Sequence, residues 1–140
     1  MEGNGNIMNS SWILNNINGI ILNGTDNNIT SNNIYNNTQN GIYSTGDNWL
    51  TGNLLTGNNG SRLVLRADNL SRVMLNILMG NNQGLTIIGD NNDINTFLTF
   101  YNILLYNNYA LTIQGNHNHL NGTYITGNIN GMQLMGIRIS

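Results

Sequence analysis

The chain has no cysteine, no proline and no lysine, and it sets four arginines against six acids in 140 residues. Without cysteine, neither a disulfide nor a thiolate metal site can form, and the redox compartment leaves no trace. Without clustered basic residues, phosphates cannot be neutralised, which argues against nucleic acid as a partner and against a polybasic membrane-surface role. No apolar run approaches the ~20 residues that span a bilayer, so no membrane insertion is expected. The opening residues, Met1-Glu2-Gly3-Asn4-Gly5-Asn6, show neither the basic nor the apolar region of a signal peptide.

What the chain has in quantity is asparagine: 33 residues, with 17 glycines. Taken alone, that composition fits a disordered tract. The apolar residues, however, are regularly spaced. A six-residue pattern, Gly-apolar-x-apolar-x-Gly, starts at Gly19, Gly41, Arg62, Gly84, Ala110 and Gly131, in steps of 22, 21, 22, 26 and 21 residues. A second marker, an apolar residue with Asn three positions on, keeps the same beat from Ile13/Asn16 to Ile125/Asn128. A period of this size is the signature of a solenoid.

Within each copy the apolar positions lie two apart, on one face of a strand. Stacked copies align into inward columns. One holds Ile20, Ile42, Leu63, Leu85, Leu111 and Met132; a second holds Leu22, Ser44, Leu65, Ile87, Ile113 and Leu134. A third runs Ile13, Ile34, Leu55, Leu78, Leu104 and Ile125, and a fourth Ile29, Leu50, Leu70, Ile94 and Leu120. No segment between turn signals is long enough for a helix of three turns, and each reads at period two. The expected fold is all-β: a single domain over residues 1–140, with six to seven coils of 21–26 residues and three short parallel strands per coil.

The pattern over residues 13–140 resembles the right-handed parallel β-helix repeat family, the architecture of pectate-lyase-like enzymes and phage tailspikes. The resemblance implies a right-handed coil and leaves the activity open, because this fold hosts many functions. Asn at the turns tolerates the left-handed region and, one coil apart, can bond its own kind. Asn16, Asn37, Asn58, Asn81, Asn107 and Asn128 are therefore read as a structural ladder rather than a sugar-binding array. Neither end shows a terminal cap.

Several features carry candidate chemistry. Asp26, Asp47, Asp68 and Asp90 recur after the second glycine of the repeat, a spacing that suits Ca²⁺ or plain turn capping; capping is the reading adopted. His117 and His119 have the spacing of a half-site for a transition metal, which would need Asp93 or a partner chain to complete it; two histidines substituted into the Asn-rich turn is the reading adopted. Two coils lengthen the gap between the fourth and third columns from five residues to eight and ten, so Arg72, Phe97, Phe100 and Tyr101 are expected in one lateral bump. Ile7 and Trp12 at the start, and Ile137 and Ile139 at the end, are the candidates for end-to-end contact.

No cofactor is expected. The sequence lacks the clustered acids of a glycoside hydrolase and any lysine base for a polysaccharide lyase, so the expected role is non-enzymatic. That role is a structural or adhesive subunit associating head to tail into a filament, extracellular, on a cell surface or on a virion. The alternative is a carbohydrate-binding or polysaccharide-processing fragment of a larger β-helix protein.

Overall fold

The computed structural model describes residues 1–68, 73–94 and 102–136. The chain winds as a parallel β-solenoid. The first coil holds β1 (Ile7–Asn9) and β2 (Trp12–Leu14). The next two hold β3 (Ile20–Asn23), β4 (Asn28–Thr30) and β5 (Asn33–Tyr35), then β6 (Ile42–Thr45), β7 (Trp49–Thr51) and β8 (Leu54–Thr56). They are followed by β9 (Ser61–Arg66), β10 (Val73–Met74) and β11 (Ile77–Met79), then β12 (Gln83–Ile88), β13 (Asp93–Ile94) and β14 (Asn102–Leu105). Last come β15 (Tyr109–Gln114), β16 (His119–Leu120), β17 (Thr123–Thr126) and β18 (Asn130–Met135). No helix occurs among the described residues.

Every third strand pairs in parallel. The main sheet runs β3-β6-β9-β12-β15-β18 and the second sheet β2-β5-β8-β11-β14-β17. The third side is divided into β1-β4-β7-β10 and β13-β16. Residues 1–12, which the repeat pattern left out, belong to the solenoid: β1 pairs with β4, and Glu2 bridges to Asn23.

The column registers follow the apolar pattern. Ile20, Ile42, Leu63, Leu85, Leu111 and Met132 stand opposite one another, and so do Leu22, Ser44, Leu65, Ile87, Ile113 and Leu134. Leu65, Leu78, Ile87 and Leu104 are completely or almost completely buried, and each such side chain contributes roughly 1.5–3 kcal/mol of burial.

The fourth column needs a correction. Leu50 stands opposite Val73, not Leu70, and Val73 is fully buried; Leu70 itself lies outside the described residues. Val73 stands three positions before Asn76, as Leu50 does before Asn53, so turn and strand stay in register together. The additional residues of this coil therefore precede β10, whereas those of the next coil, 95–101, follow β13. Arg72, Phe97, Phe100 and Tyr101 lie outside the described residues.

Candidate functional site

Tight corners of one kind recur around the coil. At most of them, a residue with positive φ precedes a laddered side chain that is buried in the inner coils. One such column is Asn15 (φ 59°), Asn36 (54°), Gly57 (58°), Gly80 (69°), Tyr106 (52°) and Gly127 (65°). Asn is among the few side-chain-bearing residues that enter this region readily, and glycine does so freely. The residues that follow it, Asn16 to Asn128, are the ladder read from the sequence. Two further ladders were not foreseen: Ser11-Asn32-Asn53-Asn76-Asn102, and Asn6-Asn27-Asn48 with Asn92-Asn118.

The bonding within a ladder is directional. Asn32 donates from its backbone N–H and from Nδ2 to Asn53 Oδ1, both at 3.0 Å. Asn53 repeats this towards Asn76, again at 3.0 Å, and sends Nδ2 back to the carbonyl of Ile29 at 2.8 Å. A buried amide left unpaired costs about 1–3 kcal/mol, so the ladder satisfies a corner that would otherwise penalise folding.

One rung in the Asn16–Asn128 ladder differs. Asn16 donates to Asn37, Asn37 to Asn58, Asn81 to Asn107 and Asn107 to Asn128. Between Asn58 and Asn81 the bond is missing: Asn81 Oδ1 is buried and has no hydrogen-bond partner. A groove of about 610 Å³ opens at that rung, with Gly57, Asn59, Gly80, Asn82, Tyr106 and Asn108 around it. Asn108 Nδ2 donates to Asn82 Oδ1 at 3.2 Å, and the Tyr106 ring is largely exposed.

The acids do not form one column. Asp68 Oδ1 accepts the N–H of Asp90, and Asp90 Oδ1 accepts the N–H of Asn116, both at 2.7 Å. In the coil of Asp26 the equivalent N–H belongs to Thr25 and goes to Asn4 Oδ1; Asp26 sits one residue further on, at a corner with φ 57°. Asp47 Oδ1 is buried without a partner. The glycine before this turn is needed where φ is 140° at Gly89 and 135° at Gly115, because a Cβ there would stand 2.0 Å from the carbonyl oxygen of the coil below.

His119 Nδ1 lies 3.1 Å from Asp93 Oδ1 across the β13–β16 pair. His117 stands at a left-handed corner, φ 54°, before the buried Asn118. The two histidines are thus split between a turn and a strand rather than carried on one strand face. Among the described residues no three His, Cys, Asp or Glu side chains gather into a metal-binding group.

The candidate end residues fall in two places. Ile137 and Ile139 lie outside the described residues. Ile7 and Trp12 occupy outward positions, 70% and 69% exposed, while their neighbours Met8 and Ile13 pack on the core. Outward positions of the second sheet continue from Trp12 through Asn33, Leu54, Ile77, Ile103 and Tyr124, and from Leu14 through Tyr35, Thr56, Met79, Leu105 and Thr126. None of these positions is charged. No family model matches the chain, and neither a curated protein nor a solved structure matches it.

Proposed function

We propose that this chain is a non-enzymatic structural or adhesive solenoid whose copies associate into a filament, in an extracellular fibre or a virion appendage, with the right-handed coil that its repeat resembles. The observation that carries this reading is the uncharged, largely apolar outer face of the second sheet. The inward columns alone suffice for folding, so Trp12, Leu14, Leu54, Ile77, Met79, Ile103 and Leu105 on the outside call for a separate reason. Contiguous apolar patches above a few hundred Å² mark interaction sites.

Magnitude favours a filament over a discrete pair. Six strands at ~4.8 Å give a face about 30 Å long, and three residues give it a width of about 10 Å. That is a few hundred Å², below the ~800 Å² per partner of a stable complex. Lateral packing becomes strong only when many coils lie in line and their contacts act together. Head-to-tail stacking would supply such a line. The ladders all point one way, so a following copy continues them, with Asn128 N–H as the donor end and Asn6 and Asn16 Oδ1 as the acceptor end. Among the described residues β18 pairs only with β15, and its inward Met132 and Leu134 are 51% and 48% exposed. The test is sedimentation and negative-stain imaging of the purified chain across a concentration series. Filaments or growing oligomers are expected; a monomer at every concentration would overturn the reading.

A further inference from the structure

We propose that Asn130, followed by Gly131 on the outermost strand of the main sheet, is a modification site that loses its amide spontaneously through a succinimide, and that stacking of a further copy protects it.

Asn-Gly is the dipeptide in which a backbone nitrogen reaches the preceding side chain with least obstruction, because glycine has no Cβ. It occurs here at residues 4–5, 18–19, 23–24, 40–41, 59–60, 121–122 and 130–131. Ring closure needs the glycine nitrogen to give up its proton and turn towards Asn Cγ. A nitrogen engaged between coils is held back, since its hydrogen bond must break first. Gly5 N–H is engaged by the carbonyl of Thr25 at 3.2 Å and Gly60 N–H by that of Gln39 at 3.1 Å.

Asn18-Gly19 and Asn130-Gly131 occupy the same place in the repeat and differ in what covers them. Gly19 N–H donates to the carbonyl of Asn40 at 2.9 Å, and Asn18 Oδ1 accepts the N–H and Nδ2 of Asn40 at 3.3 and 3.0 Å. A Cβ on Gly19 would stand 2.5 Å from the carbonyl oxygen of Gly41, so the next coil closes over this dipeptide. Asn130 and Gly131 are both exposed, and nothing lies within 4 Å of a Cβ on Gly131. Asn130 is tied towards the coil before it, its N–H and Nδ2 donating to the carbonyl of Asn108 at 2.7 and 3.1 Å. By its place in the repeat Gly131 N–H faces the other way, as Gly19 N–H does, and among the described residues no strand lies beyond β18.

The step needs only water. The Gly131 nitrogen, its proton passed to water or hydroxide, bonds to Asn130 Cγ; the Cγ–Nδ2 bond breaks and Nδ2 leaves as ammonia. Water then opens the cyclic imide. Cleavage at Cγ gives aspartate, and cleavage at the backbone carbonyl gives isoaspartate, whose main chain is one carbon longer. Either product puts a carboxylate on the edge that a following copy would cover, and an unpaired charge buried in such a joint opposes association. Unstacked chains thereby lose the ability to stack, while chains inside a filament keep it. This consequence rests on the filament reading; the modification itself does not.

The test incubates the dilute full-length chain at mildly alkaline pH and follows each dipeptide by peptide mass spectrometry, with isoaspartate detected by enzymatic methylation. Asn130 should convert at least roughly tenfold faster than Asn18, a factor that one coil-to-coil hydrogen bond can supply; in urea the two should convert alike. Gly131→Ala should slow Asn130 with the melting temperature unchanged, since the space for a Cβ is open and Ala110 holds the corresponding place in β15. Equal native rates at Asn18 and Asn130, or a Gly131→Ala chain that converts as fast as the parent, would overturn the site. Asn130→Asp should reduce the sedimenting oligomers, and pelleted chains should keep Asn130; equal conversion in pelleted and free chains would overturn the protection. A chain that stays monomeric while Asn130 converts fast sinks the filament reading alone. Filaments from a chain whose Asn130, when dilute, is as slow as Asn18 sink this inference alone.

Discussion

The main and second sheets have the same interior and different exteriors. Inside, both present mainly Ile and Leu columns, which are buried to completion or nearly so in the central coils. Outside, the main sheet mixes Ile21, Val64, Ile88 and Met135 with Tyr43, Thr86, Thr112, Gln114, Gln133 and a charged residue, Arg66, whose guanidinium lies 5.9 Å from the Tyr43 ring centroid. The second sheet shows Trp12, Leu54, Ile77 and Ile103 at the equivalent outward places. Because both sheets fold on their inward columns, the outward difference is not demanded by the coil. An apolar residue inside reports on the fold; the same residue outside reports on what the fold meets.

The comparison is broken most severely by exchanging inside for outside within one strand. Leu65 is 1% exposed and its neighbour Arg66 is exposed. Leu65→Asp buries an unpaired charge in a column one side chain wide and should cost upwards of ~3 kcal/mol or prevent folding. Arg66→Asp loses only the contact with Tyr43, less than about 1 kcal/mol. Chemical denaturation of both variants measures this; equal effects would refute the register.

The corners come next. Asn53→Ala would remove the acceptor of two Asn32 donors and the donor to the Ile29 carbonyl. Leaving such groups unpaired should cost about 2–4 kcal/mol. Asn33→Ala, on the outward face of β5, should stay within about 0.5 kcal/mol. Similar losses at both would mean that the ladder is ornamental.

A smaller thermal effect but a clear change of state is expected on the second sheet. Ile77→Lys places a charge on the apolar face, where the lysine stem can lie along the surface and keep its ammonium in water. The monomer should lose less than about 1 kcal/mol, while sedimentation shows the oligomers reduced. Thr112→Lys on the main sheet should leave association unchanged. If both variants associate like the parent, the difference between the two faces carries no function.

The inward columns were legible because period two in a short segment admits one physical reading. One ladder was legible because its asparagines follow an apolar residue by a fixed three positions. The same offset links Leu50 to Asn53 and Val73 to Asn76; applied there, it would have revealed the second ladder and corrected Leu70 to Val73. The groove was not legible, since the missing rung between Asn58 and Asn81 depends on how two coils sit and not on either residue's identity. Tyr106 was visible as a tyrosine in a column of Asn and Gly, but only its positive φ shows it to be a corner residue. The outward orientation of Ile7 and Trp12 was not legible, because the pattern began at residue 13 and left the register of the first coil unread.

The smallest expected effect concerns the acids, and it separates capping from cation binding. Asp68 Oδ1 and Asp90 Oδ1 each accept a backbone N–H from the next coil at 2.7 Å. An amide oxygen can accept the same bond, so Asp68→Asn should change stability by no more than about 0.5–1 kcal/mol. A Ca²⁺ site would respond differently: it needs several oxygen ligands with their negative charge, and losing one carboxylate would lower both affinity and stability. Asp26 sits at the corner position while Thr25 takes the bonding place in that coil, so the row that Asp68 and Asp90 begin is not continued by Asp26 as a further ligand along the axis. Melting the parent chain and Asp68→Asn with and without a chelator and added Ca²⁺ decides between them. Coincident curves are expected. A fall of tens of degrees on chelation, abolished in Asp68→Asn, would replace the capping role with a metal site.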